Sequence, residues 1–155
     1  LVSHRNRGLF VADLTPDAVE DMYLLRTTIE TGALERVLDL GLGEATADAL
    51  DAAVDAMAAL ADEPRSAAMV AADLDFHHAL VEAARSPRLS RVHETVVVET
   101  SMCLHAMRST YTDSASRLAE HRAIADAVRS GDRLRARSLL VDHMRDGLAR
   151  VSEGA

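Results

Sequence analysis

Tryptophan is absent from the 155 residues, and there are only two tyrosines, two phenylalanines, three prolines and one cysteine. So few aromatics leave a β-sheet short of the side chains that pack best on a pleated surface. Cys103 alone cannot close an intrachain disulfide, so a reducing, cytoplasmic setting is expected. No apolar run is long enough to cross a bilayer and there is no signal-peptide pattern, so no membrane association is expected. Positive charge is also in deficit, with 17 Lys and Arg against 25 Asp and Glu and a net charge of -8. That balance argues against this segment as a general binder of nucleic acid or anionic membrane. The chain opens on Leu1 rather than Met, which fits a fragment of something longer.

What is abundant is Ala, Leu, Arg, Asp and Glu, the composition of a helical bundle. The expected fold is all-α, an antiparallel bundle of six to seven helices, because short links favour antiparallel neighbours. Residues 1–14 do not read as helix; Arg5, Arg7 and Gly8 lead into a strand-like Leu9-Phe10-Val11. Thr15-Pro16 is a cap followed by proline at the first helical position, and that helix should stop near Leu40, before Gly41 and Gly43. Further helices are expected over about 46–62, 66–84 and 88–109, the prolines at 64 and 87 marking the breaks. Thr112-Asp113 offers a cap for a fifth helix ending at Ser130-Gly131, and Asp132 caps a sixth. The fourth helix is the longest β-branched apolar stretch, which places it centrally or at an interface.

The informative stretch is Ala72-Asp73-Leu74-Asp75-Phe76-His77-His78-Ala79-Leu80. Asp73 and His77 are four apart and leave adjacent turns in the same direction, on or beside the apolar stripe. A carboxylate and an imidazole are costly to bury unpaired, and a divalent metal would partner both. His121 and His143 each fall on the apolar face of their own helix. Either alone reads as a core histidine. Together with Asp73 and His77 they put four ligand-type groups on inward faces of three helices, a plausible shell for Zn²⁺, Ni²⁺, Mn²⁺ or a similar ion. Arg26 lies in the inward stripe of the first helix with Val19, Met22, Ile29 and Ala33. It reads either as an ion pair with Glu30 or as a clamp for a buried carboxylate ligand. His4 is in the tail, His78 turns toward Glu82, and His93 and His105 read as core or interface, with His105 the reserve ligand.

Several segments resemble the effector-binding C-terminal domain of GntR-type transcription regulators of the FadR subgroup, the all-helical FCD fold. They are Leu25-Arg26-Thr27-Thr28-Ile29-Glu30, Asp73-Leu74-Asp75-Phe76-His77 with Ala79-Leu80, Glu120-His121-Arg122-Ala123-Ile124, Ser130-Gly131-Asp132 and Asp142-His143-Met144. Their order and spacing agree over nearly all of residues 15–150. The resemblance implies metal ligands at Asp73, His77, His121 and His143, the four chosen from helical faces. It divides the chain into residues 1–14, the end of a winged helix-turn-helix wing and a linker, and residues 15–152, a helical metal- and effector-binding domain. One departure is Glu99-Thr100-Ser101, where the family often carries a cavity-facing basic residue. The function implied is a non-enzymatic, ligand-sensing, dimerising regulatory domain. It would bind a divalent transition metal and a small carboxylate effector, with Arg26 as effector contact and DNA bound through the missing N-terminal domain. The other classes weighed are a metal-dependent hydrolase-like enzyme with Glu120 as base, and a purely structural helical dimerisation module.

Overall fold

A computed structural model describes residues 15–106 and 114–153, the side chains of residues 105, 106 and 153 excepted. The described residues form six helices and no strand: α1 Pro16–Asp39, α2 Gly43–Ala58, α3 Ala67–Ala83, α4 Pro87–Ala106, α5 Ser114–Arg129 and α6 Arg133–Glu153. The anticipated strand near Phe10 and the Thr112-Asp113 cap lie outside the described residues.

The ends follow the cap chemistry of the sequence. Thr15 Oγ1 accepts from the Ala18 N–H at 3.2 Å, and Ser66 Oγ accepts from the Met69 N–H at 3.0 Å. Asp132 Oδ1 accepts from the Arg135 N–H at 3.1 Å and opens α6. α1 and α5 both stop at a left-handed glycine, Gly41 (φ 67°) and Gly131 (φ 69°). In each case the residue after the glycine donates back to a carbonyl five earlier, Leu42 to Val37 and Asp132 to Ala127. α2 spans 43–58 rather than the expected 46–62. The turn at Gly41 is so tight that the chain re-enters helix at once, Thr46 N–H bonding Leu42 C=O. At its other end the helix gives way to turns before Pro64.

Gly43 is where α2 meets the end of α5. A Cβ there would sit 2.6 Å from the Val128 carbonyl oxygen, a backbone atom with little freedom to move. Gly43→Ala is therefore expected to cost about 1–3 kcal/mol in urea or thermal unfolding, in line with other overpacking substitutions. Gly147→Ala is the contrast. Its Cβ would lie 3.2 Å from the Tyr23 ring, and the helix propensity gained offsets that squeeze. A loss at Gly43 no larger than at Gly147 would contradict this packing.

The helix contacts close a ring: α1 packs on α3, α3 on α2, α2 on α5, α5 on α6, and α6 back on α1. α4 lies outside the ring against α1 and α3. The expected stripe of the first helix, Val19, Met22, Ile29 and Ala33 with Arg26, is buried, and the core continues through Leu34, Leu50, Val54, Phe76, Leu80, Ile124 and Leu140. Val96 and Cys103 of α4 are buried, but Val92 is 47% and Val98 56% exposed, since among the described residues α4 packs chiefly on α1 and α3. Charged side chains fasten the outside of the ring. Arg129 of α5 reaches Glu44, Asp48 and Asp51 of α2, and Arg133 of α6 pairs with Glu35 and Asp39 of α1.

Candidate metal centre

α3 is the helix from which the site is built. Met69, Val70, Leu74, Phe76, Leu80 and Val81 are all buried, so the helix is covered on more than one side. This buries Asp73 and His77 as well. His121 of α5 is buried beside them, and its ring meets Phe76 edge-on with centroids 4.5 Å apart. His143 of α6 stacks on His77 at 5.1 Å and lies 4.5 Å from the His121 ring. One ring nitrogen from each of His77, His121 and His143 lies within 4.8 Å of the other two. Asp73 borders this cluster, with Oδ1 3.5 Å from His121 Nε2. The four residues singled out in the sequence thus occupy one neighbourhood.

The hydrogen bonds decide which nitrogen each ring offers. His77 Nδ1 is 2.6 Å from Glu30 Oε2, His121 Nδ1 is 2.8 Å from the Arg117 carbonyl, and His143 Nδ1 is 2.9 Å from Glu120 Oε2. A carbonyl and ionised carboxylates only accept, so a ring carrying a single proton places it on Nδ1 and leaves Nε2 as a lone pair. His77 Nε2 and His143 Nε2 face one another at 3.2 Å. His121 Nε2 is buried with no hydrogen-bond partner. Two nitrogens about 2.1 Å from one ion, at ordinary ligand angles, are about 3.0–3.4 Å apart. The spacing and the orphaned acceptor both fit a cation. Carboxylate or carbonyl acceptors on the far nitrogen are what zinc-type sites use to orient their histidines.

Electrostatics keep the rings in the state a metal requires. Burial, reinforced by the Arg26 charge, lowers the His77 pKa to about 4. Burial and then His143 lower His121 to about 3. Both imidazoles are therefore neutral at pH 7. Burial alone would raise Asp73, but His121, His77 and Arg117 outweigh it and bring the carboxyl to about 2. Burial also opposes ionisation of Glu30, and its contacts with His77 and Arg26 overcome that and hold it well below the usual carboxylate range. Glu120 is brought to about 2 against its partial burial by His143 and Arg150. A carboxyl so acidic, already accepting from both partners, is a poor general base at neutral pH.

Arg26 satisfies the ion-pair reading, since Nε donates to Glu30 Oε1 at 2.8 Å. Its Nη2, also buried, has no hydrogen-bond partner. Arg26 lines a small enclosed cavity with Tyr23, Asp73, Arg117, His143 and Arg150. The space open to the centre of a water-sized sphere there is about 10 Å³. The ion pair and a leftover donor coexist in one side chain that lines the cavity. Burial raises the Tyr23 hydroxyl to about 12, so it stays protonated.

The sequence reading missed how much Glu30 carries. Its carboxylate accepts from Arg26 Nε and His77 Nδ1, and from His93 Nε2 of α4 at 3.1 Å. His93 is thereby a buried core residue. His78 is half-buried and its ring lies 6.3 Å from that of His93, away from the cluster. The His105 side chain lies outside the described residues.

An all-helical domain with buried imidazoles converging on its interior is the class that fold and site define. The FCD domain family matches residues 21–146, and the chain belongs to that family. FCD domains are the regulatory, effector-binding part of GntR-type transcription regulators. Comparison with curated proteins gives no significant match. Among the described residues no helix is long and apolar enough to cross a membrane.

Proposed function

We propose that the chain is the metal-dependent, effector-sensing part of a dimeric, cytoplasmic DNA-binding regulator of the FadR subgroup. Residues 1–14 are then the end of a DNA-binding wing and a linker, and residues 15–152 the sensing domain. Asp73, His77, His121 and His143 hold one divalent transition metal of the Zn, Ni or Mn kind, and Arg26 takes the carboxylate of a small effector. The observation that carries this reading is the convergence of three imidazoles whose outer nitrogens are all engaged. The metal, when bound, supplies Lewis acidity to an anion beside it. Arg26, which lines the cavity and keeps Nη2 unpartnered, supplies the second contact once the cavity, about the size of one water here, widens around the effector, and Tyr23 supplies a protonated hydroxyl. An effector regulates only by binding one arrangement of the two DNA-binding domains better than the other.

The test is calorimetric titration of chelator-stripped protein with Zn²⁺, Ni²⁺ and Mn²⁺, then of the loaded protein with acetate, malonate and succinate. One ion per chain is expected, followed by binding of at least one carboxylate. Arg26→Lys keeps a cation beside Glu30 but removes the planar fork. It is expected to weaken carboxylate binding about 10–100-fold, the worth of a charge-assisted hydrogen bond, with metal affinity unchanged. Failure to take up metal, or equal carboxylate affinity in Arg26→Lys, would remove the corresponding half of the proposal.

A further inference from the structure

Glu30 is fully buried and lies where α1, α3 and α4 meet. Its Oε2 accepts from His77 at 2.6 Å, while Oε1 is shared by Arg26 at 2.8 Å and His93 at 3.1 Å. Three buried groups thus share one carboxylate, and only one of them, His77, belongs to the metal cluster. Arg26 balances the charge, so the carboxylate is not left bare in the interior. Among the described residues His93 Nδ1 has no hydrogen-bond partner, and Glu30 is the polar anchor that ties its ring to α1.

We infer that Glu30 is a positioning residue that couples the metal centre to α4, by fixing the His77 ring through one oxygen and His93 through the other. The inference rests on the metal reading above for its affinity measurements but not for its tautomer measurement. A ligand histidine with a carboxylate behind it is held in one tautomer and one orientation, and its lone pair becomes more basic. Drawing electron density from His77 Nε2 makes Nδ1–H a stronger donor to Glu30. The oxygen shared by Arg26 and His93 feels that change, because hydrogen bonds in a chain polarise one another. α4, which lies outside the ring and carries exposed Val92 and Val98, is the element at the far end.

The first measurement is a long-range ¹⁵N–¹H correlation spectrum of the metal-free wild-type chain. His77 is expected as the Nδ1–H tautomer, and Glu30→Gln, whose amide both donates and accepts, is expected to add the Nε2–H form. The second is Zn²⁺ affinity in single and double variants. Glu30→Gln should weaken binding about 10–100-fold. His93→Leu should weaken it several-fold although His93 is not a ligand, and His93→Gln, which keeps a donor, should restore it. In the Glu30→Gln background the effect of His93→Leu should vanish, since coupled residues are non-additive. A Co²⁺ visible spectrum changed by His93→Leu but not by His93→Gln would report the same coupling on ligand geometry. A wild-type His77 found as Nε2–H overturns the inference, and so do independent, additive effects at Glu30 and His93. Absence of metal uptake by the wild type would sink the metal reading, and the tautomer result would still decide whether Glu30 orients His77.

Discussion

Replacing His121 by alanine is expected to strip the metal and lower the melting temperature of the metal-loaded protein by on the order of 10 °C. A ligand that binds only the folded chain stabilises it by RT ln(1 + [L]/Kd), about 4 kcal/mol at a thousandfold excess over Kd. For a domain of this size each kcal/mol shifts melting by about 2–4 °C. His121 is chosen because its buried Nε2 has no protein hydrogen-bond partner to lose. The variant removes the Nδ1–H donor to the Arg117 carbonyl and the contact with Asp73, and with the vacated volume these losses give a smaller destabilisation visible in the metal-free protein. His143→Ala should likewise release metal, and would also leave Glu120 without one of its three donors. His78→Ala is the control, since His78 follows His77 directly but stands outside the cluster. It should retain metal and the metal-dependent part of the melting temperature. Melting curves with and without chelator, with metal content by mass spectrometry, decide the matter. Metal retained by His121→Ala, or lost by His78→Ala, would show that the cluster is not the site.

The second large effect is acid loss of stability in the metal-free chain, beginning well above the carboxylate range. His77 titrates at about 4 and His121 at about 3 in the fold, against about 6.5 in an unfolded chain. Below 6.5 the unfolded chain therefore binds protons that the native one refuses, so stability is full above that pH and falls as pH drops toward 4. For His77 alone the displacement is worth about 3 kcal/mol, and His121 adds in the same direction. Glu30 and Asp73 behave as depressed carboxyls. Their stabilisation is present above about 4 and is lost only at lower pH, as each is protonated. Urea midpoints measured from pH 7.5 down to 4 should hold to about 6.5 and then fall steadily, before Glu30 or Asp73 is protonated. A midpoint flat from pH 7 to 5 would contradict the burial of neutral imidazoles. In metal-loaded protein the decline should be steeper, because protons then compete with metal for the same nitrogens.

Much of this was legible in the sequence because it is local or periodic. The i,i+4 pair Asp73 and His77, and histidines on the apolar faces of α5 and α6, can be read from spacing alone. Glu30 could not be ranked that way. Arg26, four residues earlier, accounts for it as an intrahelical partner, and its contacts with His77 and His93 cross 47 and 63 residues of sequence. The cap residues Thr15 and Asp132 announced two helix starts. The early start of α2 had no such marker, because Leu42 caps it without a side-chain hydrogen bond. The fourth helix was placed centrally or at an interface from its apolar run, and that run could not show that Val92 and Val98 stand exposed, because periodicity reports a face and not what covers it.

The ring of helices gives the imidazole cluster a mechanical role. α3 packs on α1, α2 and α4, while α5 and α6 pack on one another and on α2 and α1. Across the interior these two sides meet through His77, His121 and His143, with no comparable backbone packing between them among the described residues. Side chains alone form a compliant joint, whose width follows rotamers and thermal motion. An ion bound to both sides turns that joint into a strut of fixed length, because metal–ligand distances vary by only about 0.2 Å. A strut resists spreading and collapse alike. The bore of the ring would then be gauged by an ionic radius rather than by side-chain packing, and the cavity beside Arg26, too small to absorb slack, would inherit that tolerance.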